Sequence, residues 1–279
     1  MNPIIVVPTD YSENALLAAR FAAGLADKIG ADICLLHAYS WLLSGFQTEQ
    51  EQEQHRVDAE QQAQTEMENF LGRLEGDEKS YRSVIIPGHL NDALDKIMSE
   101  SNVALVVMGT TGATGLRHHV LGSNTFATAK HLRKIPLVVV PPATSRFSLD
   151  KIAFFTDFQQ GDLQTITALK GVFPDLSAKL KFVHIGKNSD ASEEKVKLES
   201  WSKTLAEQTG YSVFPTQWVS GEEGIDTIRK MDEKFDLLVV TAVERGFFEK
   251  ILNKSLAKEL IHQSDIPVLI YQGNGDSDE

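Results

Sequence analysis

The chain has one cysteine in 279 residues, Cys34, so neither an intramolecular disulfide nor a cysteine metal cluster can form. It sits in the apolar run Ile33-Cys34-Leu35-Leu36 and reads as a core residue rather than a reactive thiol. Positive charge is scarce: 27 basic residues against 39 acidic ones leave a net charge of -12, which would repel a phosphate backbone or an anionic membrane surface. Nucleic acid and membrane are disfavoured as principal partners. No apolar run approaches the roughly 20 residues that a membrane-spanning helix needs. The chain enters directly into Ile4-Ile5-Val6-Val7, without the basic stretch, apolar core and cleavage site of a secretion signal, so a cytoplasmic location is expected. Two motifs are also missing, the G-x-S-x-G nucleophile elbow and the P-loop pattern G-x-x-x-x-G-K-[ST].

What is present is an ordinary globular composition, 42% hydrophobic and 24% charged, in a chain long enough for two cores. Short β-branched runs alternate with longer amphipathic stretches, the pattern of βα units on a parallel sheet. Strands are expected at Ile4 to Pro8, Ile33 to His37, Arg82 to Ile86, Ala104 to Met108 and Pro136 to Val140. The first helix is expected to start at Ser12, whose hydroxyl can accept a backbone N–H, and to end at Gly30. A Gln/Glu-rich stretch from Gln47 to Asn69 reads as one long solvated helix with a disordered start.

The second half repeats the first. Phe154-Phe155-Thr156-Asp157-Phe158 echoes Val7-Pro8-Thr9-Asp10-Tyr11, and Phe182-Val183-His184 echoes Leu35-Leu36-His37, both at an offset of 147. Gly221 to Val240 matches Gly88 to Val107 at 133, and Ile266 to Ile270 matches Ile135 to Val139 at 131. The main length difference therefore falls after the second strand. The expected architecture is α/β: two tandem open five-stranded parallel-sheet domains with helices on both faces, spanning 1–142 and 149–272, then an acidic disordered tail at 273–279.

Chemistry concentrates in Val106-Val107-Met108-Gly109-Thr110-Thr111-Gly112, followed after nine residues by Gly122-Ser123-Asn124-Thr125. The segment begins where a buried strand ends and finishes where a helix begins. Glycines there let the backbone approach an anion, and the helix terminus offers unpaired N–H groups at the positive end of its dipole. Thr9-Asp10 and Ala38-Tyr39 lie on the same carboxyl edge of the sheet, where ligands of open parallel sheets bind.

This spacing, G-x-x-G, nine residues, then G-S, resembles that of nucleotide-binding members of the universal stress protein family. The resemblance extends to Pro8-Thr9-Asp10-Tyr11-Ser12, Leu36-His37-Ala38 and the closing strand Ile135 to Val140. It implies an adenine nucleotide α-hydrolase-like fold binding ATP, or ADP or AMP, with a divalent cation such as magnesium. It also implies roles: Asp10 faces the adenosine, backbone groups of Pro8, Thr9 and Ala38 line the adenine pocket, and Met108 and Gly109 border the ribose. Gly112, Gly122, Ser123, Asn124 and Thr125 would hold the phosphates. Paired last strands, residues 136–142 and 267–272, would join the halves as an intramolecular pseudo-dimer, and a further homodimer stays open.

The second half departs from the pattern, with Thr241 and Glu244 in place of the first two glycines and Asn253-Lys254 in place of Gly122-Ser123. A carboxylate at Glu244 would repel phosphate, so this half is expected to be a non-binding structural partner. His118-His119 reads as a solvated pair rather than a metal site, and His37 and His184, both at strand ends, as a shared structural position. Nothing visible positions an attacking water, so any ATP hydrolysis is expected to be slow. Two other readings stay open: an adenylate-transferring enzyme, which would need an HIGH-like or SGG-like motif, and a scaffold whose Gln/Glu-rich helix contacts another protein.

Overall fold

The computed structural model describes residues 2–40, 48–74, 80–110, 122–144, 147–173, 180–186, 191–220, 235–242 and 264–272. In the first half β1 (Ile4–Pro8), α1 (Glu13–Ile29), β2 (Asp32–Tyr39), α2 (Glu49–Gly72), β3 (Tyr81–Pro87), α3 (Leu90–Glu100), β4 (Val103–Gly109), α4 (Ser123–His131) and β5 (Leu137–Val140) follow one another. The second half contributes β6 (Ile152–Phe155), α5 (Gly161–Val172), β7 (Leu180–Gly186), α6 (Ser192–Thr209), β8 (Thr216–Ser220), β9 (Leu237–Ala242) and β10 (Val268–Gln272).

The local signals act as the physics requires. Ser12 Oγ accepts the Ala15 N–H at 3.1 Å, and Gly30 ends α1 in the left-handed region at φ 65°, which only glycine adopts without steric cost. The Gln/Glu-rich helix begins at a capping box: Thr48 Oγ1 accepts the Glu51 N–H, and the Glu51 carboxylate accepts the Thr48 N–H at 2.8 Å. Thr48 and Glu51 were the sequence signal for that start, which composition alone did not single out.

The two five-stranded sheets expected from the repeat join into one ten-stranded sheet, in the order β3-β2-β1-β4-β5-β10-β9-β6-β7-β8. Pairing within each half is parallel, and the join is the antiparallel pair β5–β10, with Val138 opposite Leu269. The Lys134 N–H donates across this join to the Gln272 carbonyl at 2.9 Å. The last strands thus protect each other's edges, as the family resemblance implied.

Because strand side chains alternate, each strand feeds two cores. Ile5, Val7, Leu105 and Val107 face α1 and α2, while Val6, Val106 and Met108 face α3 and α4. Phe154 and Phe182 anchor the second half with fully buried rings 4.9 Å apart, each contributing about 2–3 kcal/mol by burial. Cys34 is buried as expected, and burial pushes its thiol above the ordinary value. No helix among the described residues is long and apolar enough to cross a membrane.

The register corrects one alignment. Val140 pairs with Gly109 and Tyr271 with Thr241, so the fourth strands of the two halves match at an offset of 132 rather than 133. The third strands keep 133, since Leu35 opposes Ser83 and Phe182 opposes Thr216. One residue is therefore lost between the third and fourth strands, where periodicity carries no register information. The register agrees with the placement of Thr241 at the position of Gly109.

Candidate functional site

The strand order reverses direction beside β1, which has β2 on one side and β4 on the other. At such a switch point the connections leave on opposite faces and open a crevice beyond the strand ends. A cavity of about 380 Å³ lies there, within the usual range for small-molecule sites. Pro8, Thr9 and Asp10 enter it from the end of β1, Ala38 from β2, Met108 and Gly109 from β4, and Gly122, Ser123, Asn124 and Thr125 from the start of α4. The structure thus brings together ten of the eleven expected site residues. Gly112, like His118, His119, Glu244 and Asn253-Lys254, lies outside the described residues.

Three further residues line the cavity and were not singled out as ligand contacts: Ala15, His37 and Leu90. Leu90 opens α3 just past Gly88, on the same carboxyl edge, and that edge position was its only sequence signal. His37 has the structural bond expected of a strand-end pair, Nδ1 to the Thr9 carbonyl at 2.8 Å, and His184 repeats it on Thr156 at the same distance. A carbonyl can only accept, so Nδ1 carries the proton in both rings.

The hydrogen bonds divide the backbone into spent and available groups. The Thr9 N–H donates to the Leu36 carbonyl at 2.8 Å, and the Thr9 carbonyl accepts from His37. Thr9 is therefore held in place more than it is open. Ala38 is the next β2 residue turned toward β1, and β1's last strand partner is already Pro8 opposite Leu36. Its N–H and carbonyl consequently face the cavity beyond the end of the ladder.

At the other end, α4 starts with Gly122 as its cap, no side-chain cap bond and no acidic residue in its first turn. α1 and α2 instead have their first N–H groups capped by Ser12 and Thr48. The N–H groups of Ser123 and Asn124 thus begin a helix whose positive dipole end points into the cavity. The Thr125 hydroxyl, expected to face phosphate, donates to the Gly109 carbonyl at 2.8 Å and ties the helix to the strand end. The Gly122 N–H donates to the Thr110 carbonyl at 2.6 Å, closing the base of the long loop.

Gly109 is needed for close approach. A β-carbon there would lie 2.4 Å from the Asn14 side-chain nitrogen, which packs over the strand end. The second half solves the same junction by exchange: Thr241 stands in place of Gly109, and Gly161 in place of Asn14. Alongside it Asp162 replaces Ala15 and Thr165 replaces Ala18. These added polar groups bond to one another. Thr165 and Thr241 hydroxyls meet at 2.8 Å, and Asp162 Oδ2 accepts from Thr156 Oγ1 at 2.5 Å and from Trp201 Nε1 at 3.0 Å. Where Ala15 borders open space, Asp162 is 1% exposed inside a satisfied polar cluster. Burial raises its carboxyl above the ordinary value, against the hydrogen bonds it accepts.

An open mostly parallel α/β sheet with a switch-point cavity defines a broad class of ligand-binding folds. Comparison with known proteins narrows it. Residues 1–141 match the model of the universal stress protein family, and the chain belongs to that family. The universal stress protein MJ0577 of Methanocaldococcus jannaschii is 27% identical over 150 residues, covering 48% of this chain and 93% of that protein. A universal stress protein from Archaeoglobus fulgidus has the same fold over 96% of this chain and 98% of its own, with a TM-score of 0.70 at 17% identity. A putative universal stress protein from Pseudomonas aeruginosa superposes with a TM-score of 0.60 at 12% identity over 97% of this chain and 93% of its own.

Proposed function

We propose that this universal stress protein binds ATP, or the related ADP or AMP, in the cavity of its first half, and that occupancy is its regulatory signal in the cytoplasm. The observation that carries the reading is the uncapped start of α4 opening onto the cavity at the carboxyl ends of β1 and β4. Phosphate oxygens would accept from the Ser123 and Asn124 N–H groups and from the Ser123 hydroxyl. Adenine would pair with the backbone edge of Ala38, with the apolar Met108 beside the sugar. Asp10, whose carboxylate accepts the Ser12 N–H at 3.2 Å, would stand next to the adenosine.

Among the described residues no cluster of three or more His, Cys, Asp or Glu could hold a metal. A magnesium ion would therefore rest chiefly on phosphate oxygens and water. The second half would act as a non-binding structural partner, because Asp162, Thr165 and Thr241 form a bonded polar cluster where the first half has Ala15, Ala18 and Gly109. Domain limits near 142 and 149 and a tail from 273 complete this reading. Native mass spectrometry after gentle purification or ATP addition is expected to show one nucleotide per chain. Two nucleotides per chain, or none at millimolar ATP with magnesium, would refute it.

A further inference from the structure

Tyr11 and Phe158 hold the same place in the two halves. Both sit in the left-handed region, at φ 64° and 59°, and both donate their N–H to a threonine hydroxyl two residues earlier, at 3.0 and 2.9 Å. Both rings pack on the strand-end histidine with centroids 4.4 Å apart. The shared backbone is therefore a property of the fold. What differs is the hydroxyl: Tyr11 Oη donates to the Ala63 carbonyl at 2.9 Å, in the middle of α2. Burial and the nearby Glu66 carboxylate push the phenol above its ordinary value, so it stays a donor.

A second tether runs the same way. Arg73, at the end of α2, donates from Nη1 to the Tyr11 carbonyl at 3.1 Å and pairs with Glu13 at the start of α1. Phe158 has no hydroxyl to offer, and its ring lies under the Lys197 ammonium at 4.3 Å. Thus α2 grips the loop whose Thr9 and Asp10 line the cavity. Only Ala63, Met67 and Phe70 are buried among the helix's 24 residues, and the Arg20 guanidinium adds a bond to the Arg73 carbonyl at 3.2 Å. A helix with so few buried residues draws its order from a handful of tertiary contacts.

We propose that Tyr11 is a positioning residue that couples occupancy of the first-half cavity to the order of α2, through the bond from its hydroxyl to Ala63. The inference rests on the reading of that cavity as a nucleotide site. A ligand that fixes Asp10 fixes Tyr11 between it and α2, and coupling between two sites is reciprocal. α2 thereby becomes the exposed element on which occupancy is displayed, and the second half, with Phe158 at this place, lacks the corresponding hydroxyl.

The test is hydrogen exchange of the α2 amides from Glu60 to Gly72, with and without saturating ATP and magnesium, in the wild type and in Tyr11→Phe. ATP affinity is titrated on the same preparations. Phe158 shows that the fold accepts phenylalanine at this position. In the wild type ATP is expected to slow exchange about three- to tenfold, the effect of one hydrogen bond's worth of coupling, and in Tyr11→Phe about twofold or less. ATP binding with no change in α2 exchange would overturn the coupling alone, as would equal slowing in Tyr11→Phe. Absence of binding in the wild-type titration would instead remove the nucleotide reading and this inference with it.

Discussion

Gly122→Asp is expected to weaken ATP binding at least about 100-fold while leaving the protein folded and no less stable. Gly122 has φ -58° and ψ 150°, an extended conformation that any residue adopts, so the substitution strains nothing. Aspartate is among the best N-cap residues, and over glycine it contributes a few tenths of a kcal/mol by accepting a first-turn N–H. That same carboxylate occupies the donors and places negative charge where the phosphates would lie. Stability and binding therefore move in opposite directions, which a general folding defect cannot imitate. Calorimetric titration and thermal melting of the two proteins check it; wild-type affinity in the variant would mean that the α4 terminus holds no phosphate.

Asp162→Asn is expected to change the dependence of stability on pH. The Asp162 carboxyl is raised in the folded protein by burial, so between its unfolded and folded values the native state keeps a proton that the unfolded chain has released. Stability from this group is fully present at pH below the ordinary carboxylate value of 3.8 and is lost as pH rises toward the folded value. The slope inside that window is about 1.4 kcal/mol per pH unit. Asparagine can still accept from Thr156 and Trp201 but cannot ionise. The variant should therefore gain stability relative to the wild type as pH rises through this window, and the difference should level off above it. Denaturant titrations over a pH series check this, and parallel curves for the two proteins would contradict it.

The sequence was most informative where chemistry is local. Ser12 and Gly30 marked both ends of α1, and apolar runs marked the first-half strands within a few residues, because caps and buried strands need particular residue types. The glycine spacing picked out Gly109 and Gly122, and order along the chain placed them with Thr9, Asp10 and Ala38 on one sheet edge. What escaped was relational. That the Thr125 hydroxyl is turned to the Gly109 carbonyl depends on the angle at which α4 leaves the sheet, which no periodicity encodes. Asp162 was not singled out at all, since its surroundings include Trp201 on a different helix. The exchange of Asn14 with Gly109 for Gly161 with Thr241 became visible only through the close approach of the Asn14 side chain to Gly109, a contact between residues far apart in the chain.

The central claim, that nucleotide sits at the start of α4 and not in the equivalent place of the second half, is tested most directly by photolabelling with 8-azido-ATP in the presence of magnesium. Peptide mapping is predicted to find the label on the loops after β1 and β2, around Pro8 to Tyr11 and Ala38, and to lose it when unmodified ATP is in excess. Label concentrated instead between Thr156 and Trp201, or undiminished by competing ATP, would contradict the account.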